Sequence, residues 1–392
     1  MSKGALGLLS AFWPEDTPRY AHIPLKTVND ATLFPIANAA PDRIAVVCGE
    51  TSVTYGALAD QIRALAGTIR NRAEKATRVA IGITDPIHLI VAIMAATDAD
   101  VLAYIADGPP SPEALSAFSP ALVIADSSDS AATIPTIGFD DLMAGEKKDR
   151  PGRPDFRTPL IAMPNADRTG EVVHNHKTLA AIGISLGKFY MLAEDVSIFM
   201  LEPPDSWWGL SMMLATFQTG ATLHAGWRRT GASLPDRVDY VVSSWNRAMR
   251  LLDEGPGTSV PAKIAAGAVT AIEGPFSASR RQRVGRKLKT DILTILGRSY
   301  LGPVLASHPA WYLSDSAGIP LPNVDTRPMN PADGAPLNLG WEVVENAEVG
   351  VKSALTPAGG TLIDGWLRSG WIAQIDPTGF YFLLPEKKLR PV

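Results

Sequence analysis

Short apolar segments alternate with helical segments along most of this 392-residue chain. The apolar runs RVAIGI, VLAYIA and ALVIAD are separated by the helical stretches IHLIVAIMAATDA and SPEALSAF. Buried strands that alternate with helices pack as a mostly parallel sheet with helices on both faces. After Gly302 the pattern of the sequence changes to short strand-like segments that are rich in Pro, Gly and Asn. We therefore predict an α/β fold, with two α/β subdomains of mostly parallel sheets over residues 1–302 and a smaller β-barrel-like subdomain over 303–392.

Composition and charge narrow the class of protein. Apolar residues make up 46% of the chain and charged residues 19%, typical of a globular protein with a large core. The net charge is −4 and no basic block occurs, so we expect neither nucleic acid nor a membrane as a partner. Cys48 is the single cysteine, which excludes a disulfide within the chain and a Cys-rich metal site. The N-terminal run GALGLLSAF is too short to cross a bilayer, and we expect a cytoplasmic protein.

Several smaller features need an interpretation. Residues 1–40 carry several prolines and are predicted to be irregular, whereas the polar, Pro-rich residues 126–158 predict a surface connection. His174 and His176 would point two imidazoles to one face of a strand, but no nearby residue completes a ligand set, so we predict structural histidines and no metal.

The segment SASRRQRVGRKLK predicts a basic helix. That helix is either a solvated surface or a docking face for an acidic carrier protein or the phosphates of coenzyme A.

The segment GWLRSGWIAQIDPTGFYFLL near the C-terminus predicts a β-hairpin. Alternation from Trp371 to Asp376 indicates one strand, Pro377-Thr378-Gly379 a turn, and Phe380–Leu384 the partner strand. A tryptophan at position 371 is unexplained by the hairpin itself.

Five segments together resemble the adenylate-forming superfamily of acyl-CoA synthetases, nonribosomal adenylation domains and luciferases. They are PDRIAVVCGETSVTYGALADQIRALAGTIR, RVAIGITDPIHLIVAIMAATDADVLAYI, EVVHNHKTL, GIPLPNV and GWLRSGWIAQIDPTGFYFL. The resemblance covers roughly residues 30–390 and is to the large N-terminal domain of that family. It implies activation of a carboxylate by ATP as an acyl-adenylate, followed by transfer to a thiol. We expect the chain to lack the family's small C-terminal domain, which carries a catalytic lysine.

Several positions depart from the family where that family holds its nucleotide. The phosphate loop, usually rich in Ser, Thr and Gly with a lysine, falls on residues that supply no lysine: Asn165, Asp167, Arg168, Thr169 and Gly170. The adenine motif G-Y-G-x-T-E falls on Gly297, Arg298, Ser299, Tyr300, Leu301 and Gly302, and the preceding strand end reads Glu273-Gly274-Pro275. Trp371 replaces the ribose-binding aspartate, and an indole has no good acceptor. The family's hinge motif has an arginine followed by a lysine or aspartate, and in this chain Glu386 and Leu389 occupy those two positions.

By the same resemblance, the segment Asp205-Ser206-Trp207-Trp208-Gly209 matches the part of the family that flanks its acid-binding pocket. Its two tryptophans either line a pocket for an apolar or aromatic group, or one of them belongs to the core. With Gly274, Gly297 and Trp371, we expect Trp207, Trp208 and Gly209 to line a ligand pocket.

Three functions remain open from the sequence. The first is a relative that no longer adenylates and binds a small hydrophobic or aromatic acyl ligand, a coenzyme A thioester or a carrier protein, with no cofactor. The second is a repurposed enzyme for acyl transfer or condensation. Its catalytic candidates are His174, Asp205, Ser206, Glu273, Arg298, Ser299 and Tyr300. The third is an AMP-forming acid ligase that uses ATP and Mg²⁺ and needs a separate C-terminal domain.

Overall fold

The computed structural model describes most of the chain. The described residues are 13–74, 77–106, 108–128, 133–146, 148–149, 155–164, 170–227, 234–250, 260–338, 342–357 and 362–385. They divide into two compact units. The N-terminal unit comprises the described residues of His22–Gly187 and Leu192–Leu234, and the C-terminal unit those of Met1–Ala21, Lys188–Met191 and Pro235–Val392. A subdomain boundary at residue 302 stays a prediction.

The N-terminal unit contains parallel β-structure covered by helices. Its described strands are β1 (Ile44–Cys48), β2 (Thr51–Thr54), β3 (Arg78–Gly82), β4 (Leu102–Tyr104), β5 (Leu122–Ala125), β6 (Thr136–Gly138), β7 (Pro159–Pro164), β8 (Glu171–Asn175), β9 (Ser197–Met200) and β10 (Thr222–Ala225). Its described helices are α1 (Val28–Ala31), α2 (Leu33–Ala39), α3 (Tyr55–Arg72), α4 (Pro86–Asp98), α5 (Pro112–Phe118), α6 (Phe139–Met143), α7 (His176–Phe189) and α8 (Trp207–Thr219). The last two residues of α7, Lys188 and Phe189, are counted in the C-terminal unit.

Two strand arrays organise this unit. The order β6-β5-β3-β4-β7-β8 is parallel except for the antiparallel pair β7–β8. The order β9-β10-β1-β2 is parallel except for the hairpin β1–β2. Helix α4 carries buried side chains around its circumference, as expected of a helix enclosed by the fold.

Three of the described helices begin with side-chain caps that can be recognised in the sequence. The Thr54 hydroxyl accepts a hydrogen bond from the Ala57 N–H at the start of α3. Asp85 caps α4 and Ser111 caps α5, and in both helices a proline follows the cap directly. Such caps satisfy backbone N–H groups that have no partner inside the helix.

Residues 1–40, predicted to be irregular, and residues 126–158, predicted to be a surface connection, both contain regular elements. Residues 126–158 contain β6 and α6, whose Phe139 and Leu142 are buried. Residues 1–40 contain α1 and α2, where Leu33 and Phe34 are buried. In both places a few apolar side chains find a core surface, and this burial outweighs the local proline content.

The C-terminal unit combines parallel and antiparallel structure. Its described strands are β11 (Arg237–Ser244), β12 (Lys263–Ile272), β13 (Ile292–Arg298), β14 (Gly302–Ala306), β15 (Ile319–Pro320), β16 (Val324–Met329), β17 (Val344–Ser353), β18 (Leu362–Ile363), β19 (Trp366–Ile375) and β20 (Tyr381–Leu383). Its described helices are α9 (Trp245–Arg250) and α10 (Ala278–Leu288).

In this unit β11, β12 and β13 are parallel neighbours, followed by the antiparallel strands β14 and β15. A separate antiparallel sheet has the order β16-β17-β19-β18, and β20 pairs with β19. The predicted hairpin is confirmed, with Ala373 opposite Leu383. The predicted combination of parallel α/β sheets and an antiparallel β-rich part is also confirmed.

Candidate functional site

Trp371 lies in β19 and is turned into the protein, with 3% of its surface exposed. Its indole Nε1–H donates a hydrogen bond to the backbone carbonyl of Glu273, at an Nε1–O distance of 2.8 Å. Glu273 follows directly after β12, so this bond joins the antiparallel sheet to the end of a parallel strand. A buried indole needs one acceptor for its one donor, and Glu273 supplies it.

The guanidinium of Arg298 covers the Trp371 ring, with its Cζ atom 5.2 Å from the ring centroid. Its Nη1 donates to the hydroxyl oxygen of Tyr300 at 2.8 Å and to the carbonyl of Ser369 at 3.4 Å. Its Nη2 donates to the carbonyl of Glu273 at 3.4 Å. Arg298 is thus fixed by two aromatic residues and two carbonyls at the end of β13.

A buried carboxylate shapes the strand that presents Trp371. Glu348, 3% exposed, accepts hydrogen bonds from the Nε of Arg368 at 2.7 Å and from the backbone N–H of Gly370 at 3.0 Å. Gly370 has φ +73°, a conformation that glycine adopts without strain. The register between β17 and β19 shifts at this point, and the bulge re-aims the residues that follow. The hydrogen bond to Glu348 also raises the pKa of Arg368.

Sequence reasoning missed Glu348 and Arg368. The sequence did contain a signal for them, since Glu348 lies inside the apolar run AEVGV. A glutamate that is buried with such a run rarely lacks a cationic partner.

The structure brings together part of the predicted set in the C-terminal unit. Arg298 contacts Glu273, Tyr300 and Trp371, and Trp371 also contacts Glu273. Glu273 contributes its carbonyl to these contacts, while its side chain is exposed. Ser299 is buried, Gly274 follows Glu273, and Gly297 pairs with Pro303 in the β13–β14 hairpin.

The remaining candidates lie in the N-terminal unit. Asp205 is buried, and its Oδ2 accepts from the N–H of Gly108 at 3.0 Å. The Ser206 hydroxyl caps α8, accepting from the Gly209 N–H at 3.0 Å and donating to the Pro203 carbonyl at 2.9 Å. These local bonds occupy the hydroxyl and give Ser206 a structural role at a helix start.

The two adjacent tryptophans have different surroundings. Trp208 is 2% exposed and belongs to the core, whereas Trp207 is half-buried, and their ring centroids lie 5.7 Å apart. Gly209 allows a close approach, since a Cβ there would lie 1.9 Å from the carbonyl oxygen of Pro203.

The histidine pair is buried at the β8–α7 junction. His176 accepts from the Val28 N–H through Nδ1 at 3.0 Å, so its other nitrogen, Nε2, carries the proton and donates to Asp100 at 3.0 Å. His174 is buried opposite Ile161 of β7. Within the described part of the chain, no group of three or more His, Cys, Asp or Glu residues is placed to hold a metal ion.

A cavity of about 720 Å³ lies in the N-terminal unit, beside α5. It is lined by Tyr104, Ala106, Pro109, Pro110, Ser111, Glu113, Ala114, Ala117, Phe118, Pro164, Gly170 and Glu171. The rings of Tyr104 and Phe118 stand 4.9 Å apart. Gly170 borders this cavity, whereas Asn165, Asp167, Arg168 and Thr169 of the predicted phosphate loop, like Glu386 and Leu389, lie outside the described residues.

The basic helix is α10, and its cations do not share one environment. Arg281 is buried, donating to the carbonyls of Ser314 and Ile292, and burial lowers its pKa. The exposed cations of this segment are Arg280, Arg283, Arg286, Lys287 and Lys289. None of the described helices has the length and apolar composition that crossing a membrane requires.

Neither a protein-family model nor a curated protein matches the sequence. Solved structures match it closely in shape. O-succinylbenzoate coenzyme A synthetase (MenE) from Bacillus subtilis in complex with AMP matches with a TM-score of 0.73 at 18% identity, over 90% of this chain and 77% of that chain. ATP-bound MatB from Rhodopseudomonas palustris matches with a TM-score of 0.75 at 17% identity, over 91% and 79%.

These matches establish the class of fold, that of the adenylate-forming enzymes. The N-terminal subdomain of NpsA from Klebsiella oxytoca, in complex with 3-hydroxyanthranilyl-AMSN, matches with a TM-score of 0.74 at 20% identity. That match covers 92% of this chain and 99% of the NpsA chain. The chain therefore has the fold of the large N-terminal domain of these enzymes, as the sequence motifs predicted.

Proposed function

We propose that this chain does not carry out ATP-dependent adenylation by itself and instead binds a small apolar or aromatic acyl group. The observation that carries the proposal is the indole of Trp371, buried and bonded to the Glu273 carbonyl. By resemblance, position 371 is where related enzymes place the aspartate that accepts hydrogen bonds from the ribose hydroxyls. Trp371 has no acceptor to offer, and its single donor is already engaged.

The neighbours of Trp371 add to the same argument. By resemblance, Arg298 stands where related enzymes present an aromatic side chain to adenine, and it is held against Trp371. Leu301 and Gly302 stand where those enzymes carry the threonine and the Mg²⁺-binding glutamate. The residues present therefore do not fit a bound nucleotide with its metal ion.

The acyl part of the proposal is supported by the cavity of about 720 Å³. Its size falls within the range of about 300–1,000 Å³ that is usual for small-molecule sites. Tyr104, Phe118 and several alanines and prolines supply apolar lining, which suits an aryl or short acyl group. The group could arrive as a free acid, as a coenzyme A thioester or on a carrier protein.

Thermal unfolding with and without ligands tests both parts. We expect Mg²⁺-ATP to leave the melting temperature unchanged, and an aryl acid or its coenzyme A thioester to raise it, because a ligand that binds only the folded state stabilises it. A concentration-dependent rise with Mg²⁺-ATP, or pyrophosphate exchange with any acid, would contradict the loss of adenylation.

A matched pair of variants tests the cavity. Ala114→Phe puts a ring into the lining of the cavity, whereas Ser116→Phe adds a ring to an exposed position of the same helix. We expect the first to abolish stabilisation by the acyl ligand and the second to retain it. Equal stabilisation of both variants would place the ligand elsewhere.

A further inference from the structure

Arg298 and the buried Arg281 both donate to neutral acceptors, but Arg298 is only half-buried. Arg70, Arg78 and Arg368 each form an ion pair with a carboxylate. No described carboxylate lies within 4.0 Å of Arg298, whose acceptors are the Tyr300 hydroxyl and two backbone carbonyls. The guanidinium is half-buried and held in position, and no carboxylate of the described residues neutralises its charge.

The hydrogen-bond donors of Arg298 are only partly used. A guanidinium carries five N–H donors. Both Nη1 donors have acceptors, in Tyr300 and Ser369, and one Nη2 donor has the Glu273 carbonyl. The Nε–H and the second Nη2–H have no acceptor among the described residues. These donors belong to adjacent nitrogens, the arrangement that pairs with two oxygens of a carboxylate or phosphate.

The position of Arg298 in the sheet favours ligand binding. Arg298 ends β13, and Glu273-Gly274 follow the end of the parallel neighbour β12. Ligands of parallel α/β sheets bind beyond the carboxyl ends of the strands. Gly274 borders open space, because a Cβ added there would meet no atom within 4 Å.

We propose that Arg298 is the binding residue of an oxyanion site, taking a carboxylate or a phosphate group through its Nε and Nη2 donors. Trp371 and Tyr300 pack against the guanidinium and hold it in position, with its Cζ 5.2 and 5.9 Å from their ring centroids. The site goes beyond the proposed function, because it lies within the C-terminal unit and requires no particular acyl group.

Calorimetric titration at low ionic strength tests the proposal with benzoate in one arm and inorganic pyrophosphate in the other. We expect the unmodified chain to bind at least one of these anions at a single site. Arg298→Met should weaken that binding about tenfold or more, since two charge-assisted hydrogen bonds are lost. Arg298→Lys should be intermediate, because a lysine keeps the charge but not the paired donors.

The control is Arg283→Met, which removes one exposed positive charge from α10. It should bind the anion as the unmodified chain does. The proposal is overturned if neither anion binds, if Arg298→Met and Arg298→Lys both bind as the unmodified chain does, or if Arg283→Met weakens binding equally. Unchanged melting of Arg298→Lys separates a lost site from lost folding. Pyrophosphate exchange with aryl acids decides the proposed function independently, since it measures adenylation rather than the binding of an anion at Arg298.

Discussion

The indole nitrogen of Trp371 and the carbonyl oxygen of Glu273 lie 2.8 Å apart, and this hydrogen bond joins β19 to the end of β12. Both partners are at the point where the parallel strands of the C-terminal unit finish. The tryptophan therefore stabilises the C-terminal unit where its antiparallel sheet meets the end of a parallel strand.

Substitution of Trp371 separates its hydrogen bond from its packing. Trp371→Phe keeps a ring but removes the donor, and should lower the free energy of unfolding by about 1 kcal/mol. Trp371→Ala also leaves a cavity and should cost about 3–5 kcal/mol. Urea denaturation measures both, with Trp207→Phe at a half-buried position as the control. Equal losses for the Phe and Ala variants would contradict this division.

The Glu348–Arg368 pair should respond asymmetrically, because Glu348 is 3% exposed and Arg368 36%. Arg368→Met leaves a buried carboxylate without its cation and should cost about 3–5 kcal/mol. Glu348→Gln leaves an arginine that can reach solvent, so its cost should be smaller. Urea denaturation of the two variants measures both losses, and the reverse ranking would contradict this prediction.

Gly209→Ala should destabilise the N-terminal unit strongly. Its Cβ would lie 1.9 Å from the Pro203 carbonyl, so the start of α8 must move. We expect a loss of about 2 kcal/mol or more in unfolding free energy. Gly274→Ala is the matched control, because its Cβ meets open space, and it should change stability by less than about 0.5 kcal/mol. Similar melting temperatures of the two variants would argue against the close approach at Gly209.

His308 should make stability depend on pH below neutrality. Burial lowers the pKa of His308 to about 4 from its ordinary value of 6.5, although nearby Asp16 acts in the opposite direction. Its Nδ1 accepts from the Ala310 N–H, so Nε2 carries the proton and donates to the Thr17 hydroxyl, and the ring packs edge-on against Phe189. These contacts fit the neutral ring. The unfolded state therefore takes up the proton first as the pH falls.

The stabilisation by neutral His308 should be complete above pH 6.5 and be lost as the pH falls towards 4, by on the order of 3 kcal/mol. His308→Gln should flatten that part of the stability curve, measured by urea denaturation between pH 4 and 7. His22→Gln, at an exposed position, should leave the slope unchanged. The pKa of His224 is also lowered by burial and adds to the slope in both variants. A His308→Gln slope equal to the original would exclude His308 as its source.

Local patterns in the sequence anticipated the regular elements well. Thr54, Asp85 and Ser111 precede helices because each supplies its own cap within three residues. The hairpin of β19 and β20 follows from alternation and a short turn. The partial failure was residues 1–40, where the short helices α1 and α2 form and Leu33 and Phe34 are buried.

The sequence by itself determined the parallel α/β class, the hairpin, and the concentration of unusual residues at Glu273, Arg298 and Trp371. Only the tertiary structure decided which atoms meet. Glu273 offers its carbonyl instead of its carboxylate, Ser206 caps a helix, and Glu348 is buried beside Arg368. The physical reason is the separation in sequence between the interacting residues. Helices, caps and turns depend on neighbours in sequence, whereas the partner of a buried donor comes from a strand about a hundred residues away and is set by packing.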